Sequence, residues 1–206
     1  MRHDALRNRE RVLAAAEDVF GEFGPAASTE EVARRAGVGI GTVFRHFPTK
    51  NDLVEAVLVR HFARLTERAQ QLAGSAQPGQ ALRSVIREMI QTGPVKITLA
   101  SLAAGPAGVI PPGAQAASRE LRGAVEAVLR RAQDAGQARP DVTIDEVYLL
   151  VRSLAQESAA TSVPPPTLRR AADIILAGLT AWPAAARHQR CRPSSSDHDR
   201  EDFLRP

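Results

Sequence analysis

The residues best suited to a chemical task crowd into positions 28–53, STEEVARRAGVGIGTVFRHFPTKNDL. Two short helical stretches there flank a tight turn at Ala36, Gly37 and Val38. That spacing is a helix-turn-helix, whose second helix enters the DNA major groove. Gly37 supplies the turn, and Val32, Val38, Val43 and Phe47 fall inward and fix the crossing of the two helices. Ile40, Gly41, Thr42 and Arg45 are left facing outward. They are short or hydrogen-bonding residues near a helix start, where a recognition helix reads base edges. The expected chemistry is recognition rather than bond-making.

Other chemistries lack their residues, and no enzyme activity is expected. The five histidines are His3, His46, His61, His188 and His198, with no Glu-x-x-His or His-x-x-x-His pairing to hold a metal. His61, alone in a long helix, reads as a surface or internally satisfied residue. The single cysteine, Cys191, rules out an intramolecular disulfide framework and a multi-cysteine zinc site. The run Gly37-x-Gly39-x-Gly41 lacks the third spaced glycine of a dinucleotide loop and follows a helix, not a strand. No glycine-rich loop ends in Lys-Ser or Lys-Thr, so there is no P-loop. No catalytic residue, metal or cofactor is therefore expected.

The elements that must position the motif are helical. The chain has 206 residues, among them 36 Ala and only eight aromatics, a mix that favours an all-α fold over a β-sandwich or barrel. The 27 Lys and Arg exceed the 23 Asp and Glu by four, but residues 1–60 carry nine of each sign. Any nucleic-acid argument must therefore rest on where the charges sit rather than on their sum. Arg2, Arg7, Arg9 and Arg11 read either as a basic arm or as a disordered terminus, with Asp4 and Glu10 diluting the charge. The start of the chain has no apolar signal region and no run reaches 18 apolar residues, so a membrane span is not expected and the cytoplasm is the expected compartment.

Apolar spacing predicts a helix over 9–23, a second starting at Ser28 or Thr29, a third ending near Phe47, and a long one over about 50–73 with Thr49 as N-cap. Further helices are expected at 79–92, 95–104, 115–135, 143–158 and 167–182, with a Pro/Gly loop at 105–113. A capping box at Thr143–Glu146 opens the next to last of these. The domain reading is a helix-turn-helix DNA-binding domain at 1–53, a helical body at 54–183, and a disordered tail at 184–206. Helices 79–92 to 143–158 are apolar enough to enclose a cavity, its walls mostly aliphatic. Arg87, Gln91, Lys96, Arg152 and Gln156 are its candidate polar residues, with solvated surface positions the competing reading for most of them.

Over about residues 9–57 the chain resembles the TetR family of transcriptional regulators. The resemblance lies in Arg11-Val-Leu-Ala-Ala-Ala, Phe20 with Gly24, Thr29 with Val32-Ala33, Ala36-Gly37-Val38, Gly41-Thr42-Val43, His46-Phe47, and Lys50 with Leu53. It implies a three-helix head, an all-α body at 54–183 that binds ligand and dimerises, and a homodimer on a palindromic double-stranded DNA operator, most members being repressors released by a small molecule. It implies that Thr29 caps the second helix against a phosphate, that Thr42 and Phe44 meet backbone and bases, and that His46 and Lys50 touch phosphates. For His46 a plain helix-surface position is the rival, and for Lys50 a solvated charge. Phe44 stands where the family usually has Tyr; it keeps an apolar contact but cannot donate to phosphate. Arg45 lies at a variable position, so its role as a base reader rests on its place in the helix. The resemblance also implies that the helices carrying Val147, Val151 and Leu154, and Ile174, Ile175, Leu176 and Leu179, pack against a partner, with internal core as the rival reading. The function expected is a ligand-responsive regulator, with a helical protein-interaction adaptor that has lost specific DNA binding as the alternative.

Overall fold

A computed structural model describes residues 2–161 and 163–180. Among these residues the chain forms eight α-helices and no strand. They are α1 (Arg2–Phe23), α2 (Thr29–Ala36), α3 (Ile40–His46), α4 (Lys50–Ala73), α5 (Pro78–Ala104), α6 (Pro112–Asp134), α7 (Ile144–Thr161) and α8 (Pro165–Thr180). The tail expected at 184–206 lies outside the described residues, as does Cys191.

Helix α1 buries Val12, Leu13, Ala16, Val19 and Phe20 along one face. Full burial of each larger side chain is worth about 1.5–3 kcal/mol. Phe23, the last residue of the predicted stripe, is instead exposed, with the Arg35 guanidinium 5.3 Å from its ring centroid. The helix begins seven residues earlier than its apolar stripe, because residues 2–8 contain no proline or glycine and carry Asp4 in the first turn.

Ser28 is the N-cap of α2, its hydroxyl accepting from the Glu31 N–H at 3.1 Å. Thr29 is therefore the first helical residue and not the cap. Glu31 does not reach back to close a box; its carboxylate takes the side chains of Arg34 and Arg35. At Gly37 the backbone turns left-handed (φ 63°), and an added Cβ would lie 2.7 Å from Arg11 Nη2. That guanidinium donates to the carbonyls of Ala36 and Gly37, so Arg11 closes the end of α2. The arginines at 9 and 11 are thus built into a helix rather than into a disordered arm.

Thr49 and Asp52 form a complete capping box at the start of α4, and Thr143 and Glu146 do the same before α7. Helix α5 continues through Pro94, where the sequence predicts two helices. A proline inside a helix costs about 3 kcal/mol. Burial of Met89 and Ile90 before it and Leu99 after it offsets that cost. At Gly93 α7 comes so close that a Cβ would sit 2.5 Å from the Ala155 Cβ. Helices α6 and α8 start at Pro112 and Pro165, a first-turn position that proline favours. No helix among the described residues is long and apolar enough to cross a membrane.

Candidate functional site

Helix α3 is held by a few inward residues and is otherwise bare. Val43 and Phe47 are buried against the core, with Val32 beneath them and Val38 half-buried. The Arg9 guanidinium lies 5.3 Å from the Phe47 ring centroid. On the opposite side Ile40 and Phe44 are 38% and 42% exposed. Arg45, next to Phe44, is exposed, with neither a hydrogen bond nor an ion pair to any described residue. Gly41 would meet nothing within 4 Å if it carried a Cβ. Thr42 and His46 are half-buried at the rim of this face, the His46 ring 6.3 Å from that of Phe47. Thr29 is buried, and its hydroxyl donates to Glu30 Oε2 at 3.3 Å. Lys50 Nζ donates to the carbonyls of Ala27 (2.6 Å) and Pro25 (3.4 Å), so part of its charge is answered inside the protein.

The body holds a cavity of about 200 Å³ between four helices. Phe62 and Leu65 of α4, Met89 and Ile97 of α5 and Leu121 of α6 give it an apolar wall. Its polar lining is His61, Lys96, Ser118, Tyr148 and Arg152, with no carboxylate among them. Burial pushes the Lys96 ammonium down from the usual lysine range, and the neighbouring Arg152 charge adds to this. Burial also raises the Tyr148 phenol to about 12, against a weaker opposing effect of Arg122. The Tyr148 hydroxyl is buried without a hydrogen-bond partner. A second, more open cleft of about 550 Å³ shares Phe62, Lys96 and Ser118 with the first and reaches the loop at Gly108, Val109 and Ile110.

Residues 12–57 match the N-terminal domain of bacterial regulatory proteins of the tetR family, and residues 77–181 match the C-terminal domain of SbtR-like transcriptional regulators. A TetR transcription regulatory protein from Mycobacterium vanbaalenii has a similar structure (TM-score 0.71), with 34% identity over 87% of this chain and 99% of that one. The chain belongs to the TetR family of bacterial transcriptional regulators. A TetR regulator from Streptomyces coelicolor is similar at TM-score 0.72, with 31% identity over 84% of this chain and 98% of that one. A transcriptional repressor of the helix-turn-helix type from Mycobacterium tuberculosis is 52% identical over 56 residues, 27% of this chain and 30% of that protein. The chain thus spans about a third of the length of the curated relatives it matches.

In this TetR-family chain α4 joins the head to the body. At its start Lys50 braces the residues between α1 and α2; at its middle His61 and Phe62 line the cavity. Glu17 of α1 is the link across. Its carboxylate meets Arg60 Nη1 at 2.9 Å, His61 Nδ1 at 3.3 Å and Arg64 Nη2 at 3.0 Å. The hydrogen bond from His61 and those from Arg64 hold Glu17 at about 2, against the opposing effect of burial. His61 is only 1% exposed, so it is an internally satisfied histidine that also touches the cavity.

Of the polar candidates in the body, Lys96 and Arg152 line the inner cavity. Arg87 pairs instead with Asp173, and Gln91 and Gln156 line separate surface clefts. No spacing in the sequence marks His61, Ser118 and Tyr148 as pocket residues; the one signal is that each is a polar residue on a largely apolar helix stripe. On α7 and α8, Val147, Val151, Leu176 and Leu179 are internal core. Leu149 and Ile174, each 65% exposed, and Leu150 are instead turned outward.

Proposed function

We propose that this chain is a ligand-responsive repressor that acts in the cytoplasm and binds a palindromic operator as a homodimer. The observation that carries this reading is the outward face of α3, where Ile40, Phe44 and Arg45 stand exposed and unpaired on a buried base of Val43 and Phe47. An arginine can pair bidentately with guanine, and Phe44 and Ile40 suit a thymine methyl. Gly41 lets the backbone come close to DNA, with Thr42 and His46 beside it. Thr29 serves as a contact at the start of α2. An ammonium has three N–H donors and Lys50 spends two on carbonyls, leaving one for a phosphate.

The head is residues 1–53 and the body 54–183, with α4 running through the boundary. The outward-turned Leu149, Leu150 and Ile174 support dimerisation through α7 and α8. A two-fold axis there sets two copies of α3 about one DNA turn apart. Ligand in the body changes the equilibrium between head separations only by its affinity difference for the two states. The Glu17 cluster supplies a mechanical link, because it ties α1 to the turn of α4 that lines the cavity.

Selection of bound duplexes from a random DNA pool by the purified chain tests this. A palindromic enriched site is expected, and its loss in the double variant Leu149→Glu, Ile174→Glu, together with a halved mass in sedimentation. A folded dimer that enriches no sequence would favour the adaptor alternative and overturn the repressor.

A further inference from the structure

Resting on that ligand-responsive reading, we infer that the inner cavity takes a compact organic carboxylate, its acid group held by Lys96, Arg152 and the Tyr148 hydroxyl and its apolar body by Phe62, Leu65 and Met89. Three observations converge on this. The cavity wall carries two cationic side chains and no carboxylate, and neither Lys96 nor Arg152 has an ion pair with any described residue. Glu17, which meets the cavity residue His61 from behind, is turned to Arg60, His61 and Arg64. Among the described residues that are not exposed, Tyr148 Oη is the one buried side-chain polar atom without a partner. A buried donor left unmade is destabilising, so a ligand that accepts from it recovers that energy on binding.

The remaining lining decides what carries the charge. Eight of the thirteen lining residues are apolar, so most of the ligand's surface must be apolar too. All thirteen lie within α4, α5, α6 or α7, and none is in the first turn of its helix. Their backbone amides are therefore spent in the helices, and the cavity offers no cradle of N–H groups of the kind that phosphates draw on. A carboxylate has two oxygens, which one ammonium, one guanidinium and one phenol can satisfy. The volume, about 200 Å³, lies below the usual range for drug-sized ligands, about 300–1,000 Å³. Lys96 and Phe62 also line the outer cleft of about 550 Å³, so the acid group sits near the neck and a longer chain extends toward Val109 and Ile110.

Calorimetric titration of the full chain with benzoate and with straight-chain acids of two to ten carbons, each against its primary amide, tests the inference without DNA. The tightest acid is expected to bind at least about tenfold better than its amide, as loss of one charge-assisted hydrogen bond implies. Tyr148 is the only tyrosine of the chain, so binding should perturb the tyrosine difference spectrum. The double variant Lys96→Met, Arg152→Met should abolish the preference for acid while leaving the amide's affinity unchanged, and Tyr148→Phe should weaken the acid severalfold with no loss of thermal stability. Equal affinity for acid and amide, an acid preference that survives the double variant, or no acid binding below about 1 mM would overturn the site. Phenyl phosphate binding more tightly than benzoate would overturn the carboxylate class. A chain that prefers acids yet selects no DNA would keep the site and refute the repressor.

Discussion

Helix α3 and the cavity between α4 and α7 share a feature: each holds polar side chains that find no partner within the described chain. Arg45 on α3 is exposed, whereas the Tyr148 hydroxyl is buried and Lys96 half-buried. Water satisfies the first at no cost to folding. The second set is desolvated, and folding carries that penalty until a ligand relieves it. An unpaired group on a surface is thus silent in stability and speaks only in binding, while an unpaired group in a cavity is audible in both.

The largest effect should fall on α3. Arg45→Ala should weaken operator binding by about 1–3 kcal/mol and relax one base preference, while moving stability by less than about 0.5 kcal/mol. Anisotropy titrations and a thermal melt check both halves. Lys50→Ala should behave differently, weakening all sequences together, lowering the salt slope by about one phosphate's worth, and also destabilising the head, because its carbonyl contacts go with it.

The cavity predicts the opposite pattern. Lys96→Met and Tyr148→Phe should each raise stability without ligand, by about 1–2 kcal/mol in urea denaturation, because each removes a desolvated group that lacks a partner. If either lowers stability, the group is satisfied in the free protein and the contrast with α3 fails.

Gly41→Ala sharpens the comparison on a smaller scale. Its added Cβ would meet open space, so the helix should gain up to about 1 kcal/mol. Weaker operator binding alongside that gain would show that the glycine serves DNA approach. Gain in both would show that it does not.

Glu17→Gln should give the effect most conditional on pH. Glu17 sits at about 2 in the folded chain against an ordinary 4.5, so its contribution is fully present above 4.5 and disappears as the pH falls toward 2. The variant should lose stability at neutral pH and show a flatter stability curve between those two values. Glu31, also held near 2 by Arg34 and Arg35, remains in the variant and keeps part of the acid response.

The same contrast explains what the sequence could disclose. The head is written in local spacing. Gly37 at the turn, Val43 and Phe47 inward, and Thr49 with Asp52 at the next cap are all set by residues within four positions of each other. Even there the choice between Ser28 and Thr29 as cap needed coordinates, because both hydroxyls stand beside the helix start. The cavity is written in tertiary convergence. His61, Lys96, Ser118 and Tyr148 come from four helices, and no spacing rule joins them. Pro94 reads as a break and is not one, because the packing of α5 on its neighbours outweighs the local penalty. The apolar residues of α7 and α8 likewise divide into core and outward face only once the helices are packed, with Leu176 inside and Ile174 outside.

Coupling through α4 is what would make the two unpaired regions report to each other. Its most direct test is the operator affinity of the full chain, measured with the cavity empty and then saturated with the carboxylate it binds most tightly. Operator affinity should fall at least tenfold at saturation, a coupling of about 1.4 kcal/mol, and should not fall in the double variant Lys96→Met, Arg152→Met. Equal operator affinity with the cavity empty and full would contradict it.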